Sequence, residues 1–280
     1  MPGKLYLCAT PIGNLGDITY RCVEVLKSVD LIAAEDTRRT LTLLNHLGIE
    51  KPLVSYFEHN RREKGEMLVS RLKNGESIAL VSDAGTPAIS DPGEDLVALC
   101  AENDIETVPI PGAVAAINGL IVSGLPTGRF AFEGFLSVNK KNRMEMLEKL
   151  KTEERTIIFH EAPHKLMNTL TDLLKTLGNR RIALCRELTK LHEEIFRTDI
   201  EGAIARYSEN PPKGEFVLVV EGRPAGEAEA QEQAKWADMS AEEHVQMYVG
   251  SGMSEKDAIK AAAADRGVSK REIYNIIKIK

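Results

Sequence analysis

The chain has 280 residues, 43% of them hydrophobic and 28% charged, with a net charge of −6. That apolar content fills real cores and excludes wholesale disorder, and no stretch approaches the ~18 uninterrupted apolar residues of a membrane span. The length predicts two domains of roughly 100–200 residues with a small extra piece. Met1–Thr10 runs straight into a strand-like segment, without the basic region and cleavage site of a secretory leader. Cys8, Cys22, Cys100 and Cys185 are far apart, none in a CxxC pair or at zinc spacing. They are expected to be reduced, buried thiols of a cytoplasmic protein with no metal site.

In chain order, Lys4–Ala9 is expected to be a strand, followed by a Gly/Pro/Asn/Asp loop from Thr10 to Asp17. A helix carries Val23, Val25, Leu26 and Val29, and Leu31–Ala34 is a second apolar strand. Thr37–Leu47 fits a helix ended by Gly48, Leu53–Tyr56 a short strand, Arg61–Lys73 a helix and Ser77–Ser82 a buried strand. Glu94–Glu102 is helical, Glu106–Ile110 extended, and Ala113–Ser123 a helix of small residues opened by Pro111-Gly112. Strand and helix in alternation predict a mostly parallel sheet covered on both faces.

Leu125–Gly128 breaks the pattern. The second series has strands at Phe130–Leu136, Thr156–His160, Arg181–Arg186, Glu193–Arg197 and Glu215–Val220, with helices near Lys140–Leu150 and His164–Leu177. Consecutive strands predict a mixed sheet here. The expected organisation is a first α/β domain over 1–124, a second over 125–222, a linker over 223–238 and a C-terminal helical unit over 239–280. In that last part, Ser254–Arg266, a Gly267–Ser269 turn and Ser269–Lys278 have a helix-turn-helix shape, with Ser254 and Ser269 as N-caps and Glu272 completing a capping box.

Charge is distributed unevenly. Arg223–Gly250 holds 2 basic and 6 acidic residues, whereas Ser251–Lys280 holds 7 basic and 4 acidic. Net charge therefore does not exclude a polyanionic partner, because binding depends on a local patch.

Three loops follow strands of the first sheet, where open α/β sheets place ligands. Thr10–Asp17 contains glycines but neither a GxGxxG nor a GxxxxGK[ST] pattern, so a dinucleotide or Walker-type site is disfavoured. Ser82–Gly93 gathers Asp83, Asp91, Gly85, Gly93, Pro87 and Pro92, more than a plain connection requires. Its glycines are expected to let backbone approach a ligand, and Asp83 to accept from hydroxyl or ammonium groups. Pro109–Ala116 enters a small-residue helix suited to apolar contact with a flat ligand.

The ordered set TPIGNLGD (10–17), AAEDTRRT (33–40), SDAGTPAISDPG (82–93), PGAVAA (111–116), FHEAPHK (159–165), CRELTK (185–190) and GEFVLVVEG (214–222) resembles the tetrapyrrole-methylase-like class of S-adenosylmethionine-dependent methyltransferases. Within that class it resembles the members that methylate the ribose 2′-oxygen of a cytidine in 16S rRNA of the small ribosomal subunit. The resemblance implies two α/β domains, a homodimer, and S-adenosylmethionine in the cleft between domains. By motif, Pro11, Gly13, Asp83, Thr86, Val114, Ala115, His160 and Glu215 would bind the cofactor. The Thr-Pro-Ile-Gly segment and the basic EDTRRT depart from tetrapyrrole-acting relatives and argue against a porphyrin substrate. The alternatives are a small-molecule (tetrapyrrole or corrin) methyltransferase and a non-catalytic RNA-binding module.

The implied reaction is attack of a ribose hydroxyl on a sulfonium methyl group, in which alignment contributes most and a general base adds about 10²–10⁴-fold. Candidates for that base are Glu35, Asp36, His160 and Glu161. Glu35 and Asp36 could equally cap the following helix, and His160-Glu161 could pair with Arg186. Arg38 and Arg39 suit bidentate phosphate contacts, with Lys140, Lys141 and Arg143 as secondary contributors and Lys270 and Arg271 as further RNA contacts.

Overall fold

A computed structural model describes residues 2–224, 226, 236 and 239–278. Two five-stranded sheets carry the first four-fifths of the chain. The first contains β1 (Leu5–Cys8), β2 (Leu31–Ala34), β3 (Leu53–Ser55), β4 (Ile78–Val81) and β5 (Thr107–Ile110), all parallel in the order β3-β2-β4-β1-β5. A parallel sheet of this kind is covered on both faces, so its strands are apolar throughout rather than alternating. Leu31, Ala33, Ile78 and Leu80 point to one core with α3 (Arg61–Lys73) and α4 (Gly93–Glu102). The intervening Ile32, Ala34, Ala79 and Val81 face the other core, with α1 (Tyr20–Ser28) and α2 (Thr37–His46).

The second sheet is mixed. It has β6 (Phe130–Phe135), β7 (Thr156–Glu161), β8 (Arg181–Arg186), β9 (Glu194–Asp199) and β10 (Phe216–Val220) in the order β6-β7-β10-β8-β9, with only β6 and β7 parallel. Its connections include α6 (Lys140–Leu150), α7 (Leu166–Leu177) and α8 (Ile200–Glu209). Helix α8 is absent from the sequence expectation. Its signals are Asp199, whose side chain accepts from the Gly202 amide, and Glu201 in the first turn, but they directly follow a strand and are easily taken for its continuation.

Helix α5 (Ala115–Ser123) follows the last strand of the first sheet yet packs on the second. Ala116 and Leu120 share a core with Ile158, Ala183, Cys185, Val217 and Val219. Gly119 sets the approach distance, because a Cβ there would stand 2.7 Å from Val217 Cγ1. Both sheets fall in one compact unit, Met1–Glu148 with Arg155–Glu221, and a second unit comprises Lys149–Glu154 with Gly222–Lys280.

The second unit buries Ala241 and Val245 of α9 (Ala241–Gly250), Ala258, Ile259, Ala262 and Ala263 of α10 (Glu255–Asp265), and Ile273 of α11 (Lys270–Lys278). Ser254 caps α10, and Ser269 and Glu272 exchange the two bonds of a capping box, both as expected. Helix α9 is additional, although Ser240 and Glu243 form the same box and the signature is plain in the sequence. The expected linker over 223–238 lies largely outside the described residues.

Gly119→Val should overpack the α5–sheet contact and cost about 1–3 kcal/mol. Gly128 has open space around it, so Gly128→Ala should stay within about 0.5 kcal/mol of the parent. Denaturant melts of both variants check the contrast.

Candidate functional site

The loops after β1, β4 and β5 are joined by their own backbones. Thr10 N–H donates to Gly85 O at 2.9 Å and Gly85 N–H to Thr10 O at 3.0 Å, a two-bond antiparallel bridge between the first and second loops. Thr86 Oγ1 donates to Ala113 O at 3.1 Å and ties the second loop to the third. Gly85 adopts φ +85°, and Ile12 lies over it where a side chain would stand. Gly93 has a different job from the one expected. It is buried, and its missing side chain makes room for Asp91 Oδ1 and Ala88 N, not for a ligand. Asp91 accepts from the amides of Ala88 and Gly93 and staples the loop, which holds Ala88 and Ser90 at positive φ.

Two clefts open beside this joint. The first, of about 220 Å³, has apolar walls from Ile12, Ala115, Cys185, Leu188, Phe216 and Val217 and a polar rim of His160, Glu187, Lys190 and Glu215. His160 rests edge-on against Phe132 and Phe135, with ring centres 5.1 and 5.4 Å away. Its Nε2 is buried without a hydrogen-bond partner among the described residues. Burial, only partly countered by Glu215, pushes the imidazole below its ordinary value, so it is neutral at pH 7. Lys190 Nζ bridges Glu187 and Glu215 at 2.9 and 3.0 Å. An apolar trough with one orphaned acceptor or donor fits a nucleoside-bearing thioether or sulfonium ligand.

The second cleft, of about 300 Å³, is bounded by Thr10, Pro11, Arg39, Thr42, His46 and Asp83, with Leu15, Thr40, Leu43 and Ser82. The eight residues expected at the cofactor thus divide. Ala115, His160 and Glu215 line the first cleft, and Pro11 and Asp83 the second. Gly13 lies against Thr189 and Lys190, Thr86 bonds the third loop, and Val114 stands just before α5 and packs against the core of the second sheet. Ile12, Phe135, Cys185 and Lys190 have no role in the sequence reading. CRELTK is visible as a motif, but the left-handed turn at Glu187 and Thr189 that brings it to the cleft is not legible in the residues.

The candidate bases have unequal surroundings. Asp36 caps α2 by accepting from the Arg38 amide at 2.9 Å and pairs with the Arg38 guanidinium, which together hold its carboxyl at about 2. Glu161 is buried and accepts from Thr169 Oγ1 and its neighbour's amide; Arg186 pairs instead with Glu194. Glu35 is half-buried, and burial first, then the Asp83 and Asp91 charges, raise its carboxyl above the usual value. Arg39 meets Asp83 Oδ2 at 3.3 Å. Arg38, Lys140 and Lys141 are exposed, whereas Arg143 is drawn inward by Asp172 at 2.7 Å and the Ser137 carbonyl. Lys270 and Arg271 are exposed on α11 of the second unit, neither ion-paired among the described residues.

No described helix is long and apolar enough to cross a membrane, and no three His, Cys, Asp or Glu residues among those described cluster as a metal site. Residues 4–204 match the tetrapyrrole (corrin/porphyrin) methylase family. A protein of Halalkalibacterium halodurans named ribosomal RNA small subunit methyltransferase I is 52% identical, with 98% of this chain and 94% of that protein covered. One of the same name from Thermotoga maritima is 47% identical over 79% of this chain and 99% of its own length, so about a fifth of this chain has no counterpart in it. The solved structure of uroporphyrin-III C-methyltransferase from Thermus thermophilus, complexed with S-adenosylhomocysteine, shares the fold at TM-score 0.55 and 18% identity, over 78% of this chain and 97% of that one. The chain belongs to the tetrapyrrole methylase family, in the branch whose members carry the name ribosomal RNA small subunit methyltransferase I.

Proposed function

We propose that the protein transfers the methyl group of S-adenosylmethionine to the ribose 2′-hydroxyl of a cytidine in 16S rRNA of the small ribosomal subunit. Similarity over 98% of the chain to proteins named for that subunit's RNA carries this reading. Similarity to a porphyrin-acting enzyme is far lower, at 18% identity, and speaks for fold alone. Cytoplasmic action, RNA binding and a homodimer belong to the same proposal and rest on the family resemblance.

When bound, S-adenosylmethionine supplies an electrophilic methyl group on a positively charged sulfur. Ile12, Ala115, Phe135, His160, Glu215 and Val217 would hold it in the first cleft, whose walls are largely apolar. Because charge disperses as the reaction proceeds, these residues contribute mainly by alignment. Glu35 is the base of choice for the hydroxyl proton. Its raised carboxyl is better matched to neutral pH than Asp36, which Arg38 holds at about 2, and it lacks the buried double anchoring of Glu161. His160, neutral and unpartnered, is the second choice. Arg38 and Arg39 would meet RNA phosphates as members of carboxylate pairs, and Lys140, Lys141, Lys270 and Arg271 as exposed cations. Arg143, already committed to Asp172, drops out of this set.

Labelled methyl transfer from S-adenosylmethionine to purified small subunits tests the proposal; the absence of transfer to any ribose there would end it. Glu35→Gln should lower the transfer rate by about 10²–10⁴-fold. The same substitution should raise thermal stability at pH 8. A carboxyl raised above its unfolded-state value of 4.5 penalises the fold once it ionises, and the penalty disappears below that value. The stabilisation should therefore vanish near pH 4, as melts across pH would show. Lys270→Ala with Arg271→Ala should weaken rRNA binding and make the salt dependence of log K shallower, by about one unit of slope for each phosphate these side chains neutralise, measured by titration at several salt concentrations.

A further inference from the structure

We propose that the buried ion pair Arg143–Asp172 is a positioning device for the first cleft, setting the place of Phe135 against His160 from outside it. The inference rests on reading that cleft as the donor's, and it gives a role to two side chains that line neither cleft.

Phe132 and Phe135 are three residues apart, so in a regular strand they would face opposite sides of the sheet. Both nevertheless meet the His160 ring edge-on, with centres 5.1 and 5.4 Å away. The cause is a bulge. Phe132 pairs with Ile158 and Gly134 with Phe159, so Glu133 is an extra residue and the alternation of side chains is reset. Gly134 supplies the left-handed turn, at φ +63°, and is buried where a Cβ would stand 3.2 Å from Ser90 Oγ. Phe135 then falls opposite His160 on β7.

Beyond Phe135 the ladder ends. β6 is an edge strand with β7 as its neighbour, and Phe135 is its last residue, 58% exposed. Burial alone holds such a ring weakly, so its position depends on where the next residues are anchored. Arg143, in the first turn of α6, supplies that anchor. Its guanidinium donates to Ser137 O at 3.0 Å, to Val138 O at 3.4 Å and to Asp172 Oδ2 at 2.7 Å.

Asp172 belongs to α7, as does Thr169, three residues earlier on the same helix face. Thr169 Oγ1 donates to Glu161, the residue after His160. One face of α7 therefore grips both strand ends, β7 through Thr169–Glu161 and β6 through Asp172–Arg143. His160 and Phe135 stand at the ends so held.

The side chains of Arg143 and Asp172 are only 13% and 12% exposed. Desolvation offsets much of the attraction in a buried ion pair, and apolar residues of similar bulk commonly pack as well. They lack the guanidinium's rigid fork, which meets a carboxylate and main-chain oxygens at once. The pair's contribution is therefore position more than stability, and what it positions is an exposed aromatic wall of the donor cleft.

Calorimetry of S-adenosylhomocysteine binding to the full-length protein is the test. Arg143→Met with Asp172→Leu removes both charges and leaves neither partner buried alone. This pair variant should bind about tenfold more weakly, as should Phe135→Ala. Adding the pair substitutions to Phe135→Ala should change affinity by no more than about twofold, because the pair acts through the ring. In the pair variant the His160 ring-proton NMR resonances, assigned by their loss in His160→Gln, should shift as Phe135 moves. Unchanged affinity in the pair variant overturns the inference, and so does a loss that adds in full to that of Phe135→Ala. Wild-type protein that fails to bind S-adenosylhomocysteine ends the donor reading first. Should the pair variant not fold, Arg143→Lys decides, because its ammonium keeps the charge opposite Asp172 without the fork that also reaches Ser137 O. About a threefold loss of affinity, absent in the Phe135→Ala background, upholds the proposal, and an unchanged affinity rejects it.

Discussion

Two backbone hydrogen bonds between Thr10 and Gly85 hold the site together. They join the loops that leave two neighbouring parallel strands, β1 and β4, at their carboxyl ends. Each bond is worth only about 0.5–1.5 kcal/mol net, but their effect is geometric. They fix the point from which Pro11 turns to one cleft and Ile12 to the other. Thr86 extends the joint to the third loop, and α5 then carries it to the second sheet, where Gly119 lets helix and strand approach closely. Buried strands on either side leave the loops little freedom to separate.

The electrostatics follow from this crowding. Glu35, Asp36, Asp83 and Asp91 emerge from two adjacent strand ends, and each is handled differently. Arg38 neutralises Asp36, Arg39 meets Asp83, and loop amides consume Asp91. Glu35 keeps a raised affinity for its proton because it is half-buried among these carboxylates. The adjacent arginines are therefore partners of acids, and their charge is spent locally on the carboxylates of these strand ends.

Much of the fold is legible in the sequence. Apolar runs such as Leu31–Ala34 and Ile78–Val81 carry no alternation because both faces are covered, and the Ser269–Glu272 capping box announces its helix. Helix α9 carries the same signal without an expectation having been drawn from it, and α8 is hidden behind its strand. The loops are recognisable as a site by composition, and FHEAPHK and CRELTK by motif. Which side chain faces which cleft is not, because that depends on left-handed residues at Ala88, Ser90, Glu187 and Thr189 that no composition rule predicts. Arg143 illustrates the same limit: its sequence neighbours Lys140 and Lys141 are exposed, while the packing of α6 beside Asp172 turns it inward.

The placement of the donor in the first cleft is the central claim, and a crystal structure with S-adenosylhomocysteine bound is its most direct measurement. The account predicts the ligand against His160, Phe135 and Val217, with Pro11 and Asp83 on the far side of the Thr10–Gly85 bridge and free of it. Density for the ligand between Pro11, Arg39 and His46, or spanning both clefts across the bridge, would contradict it.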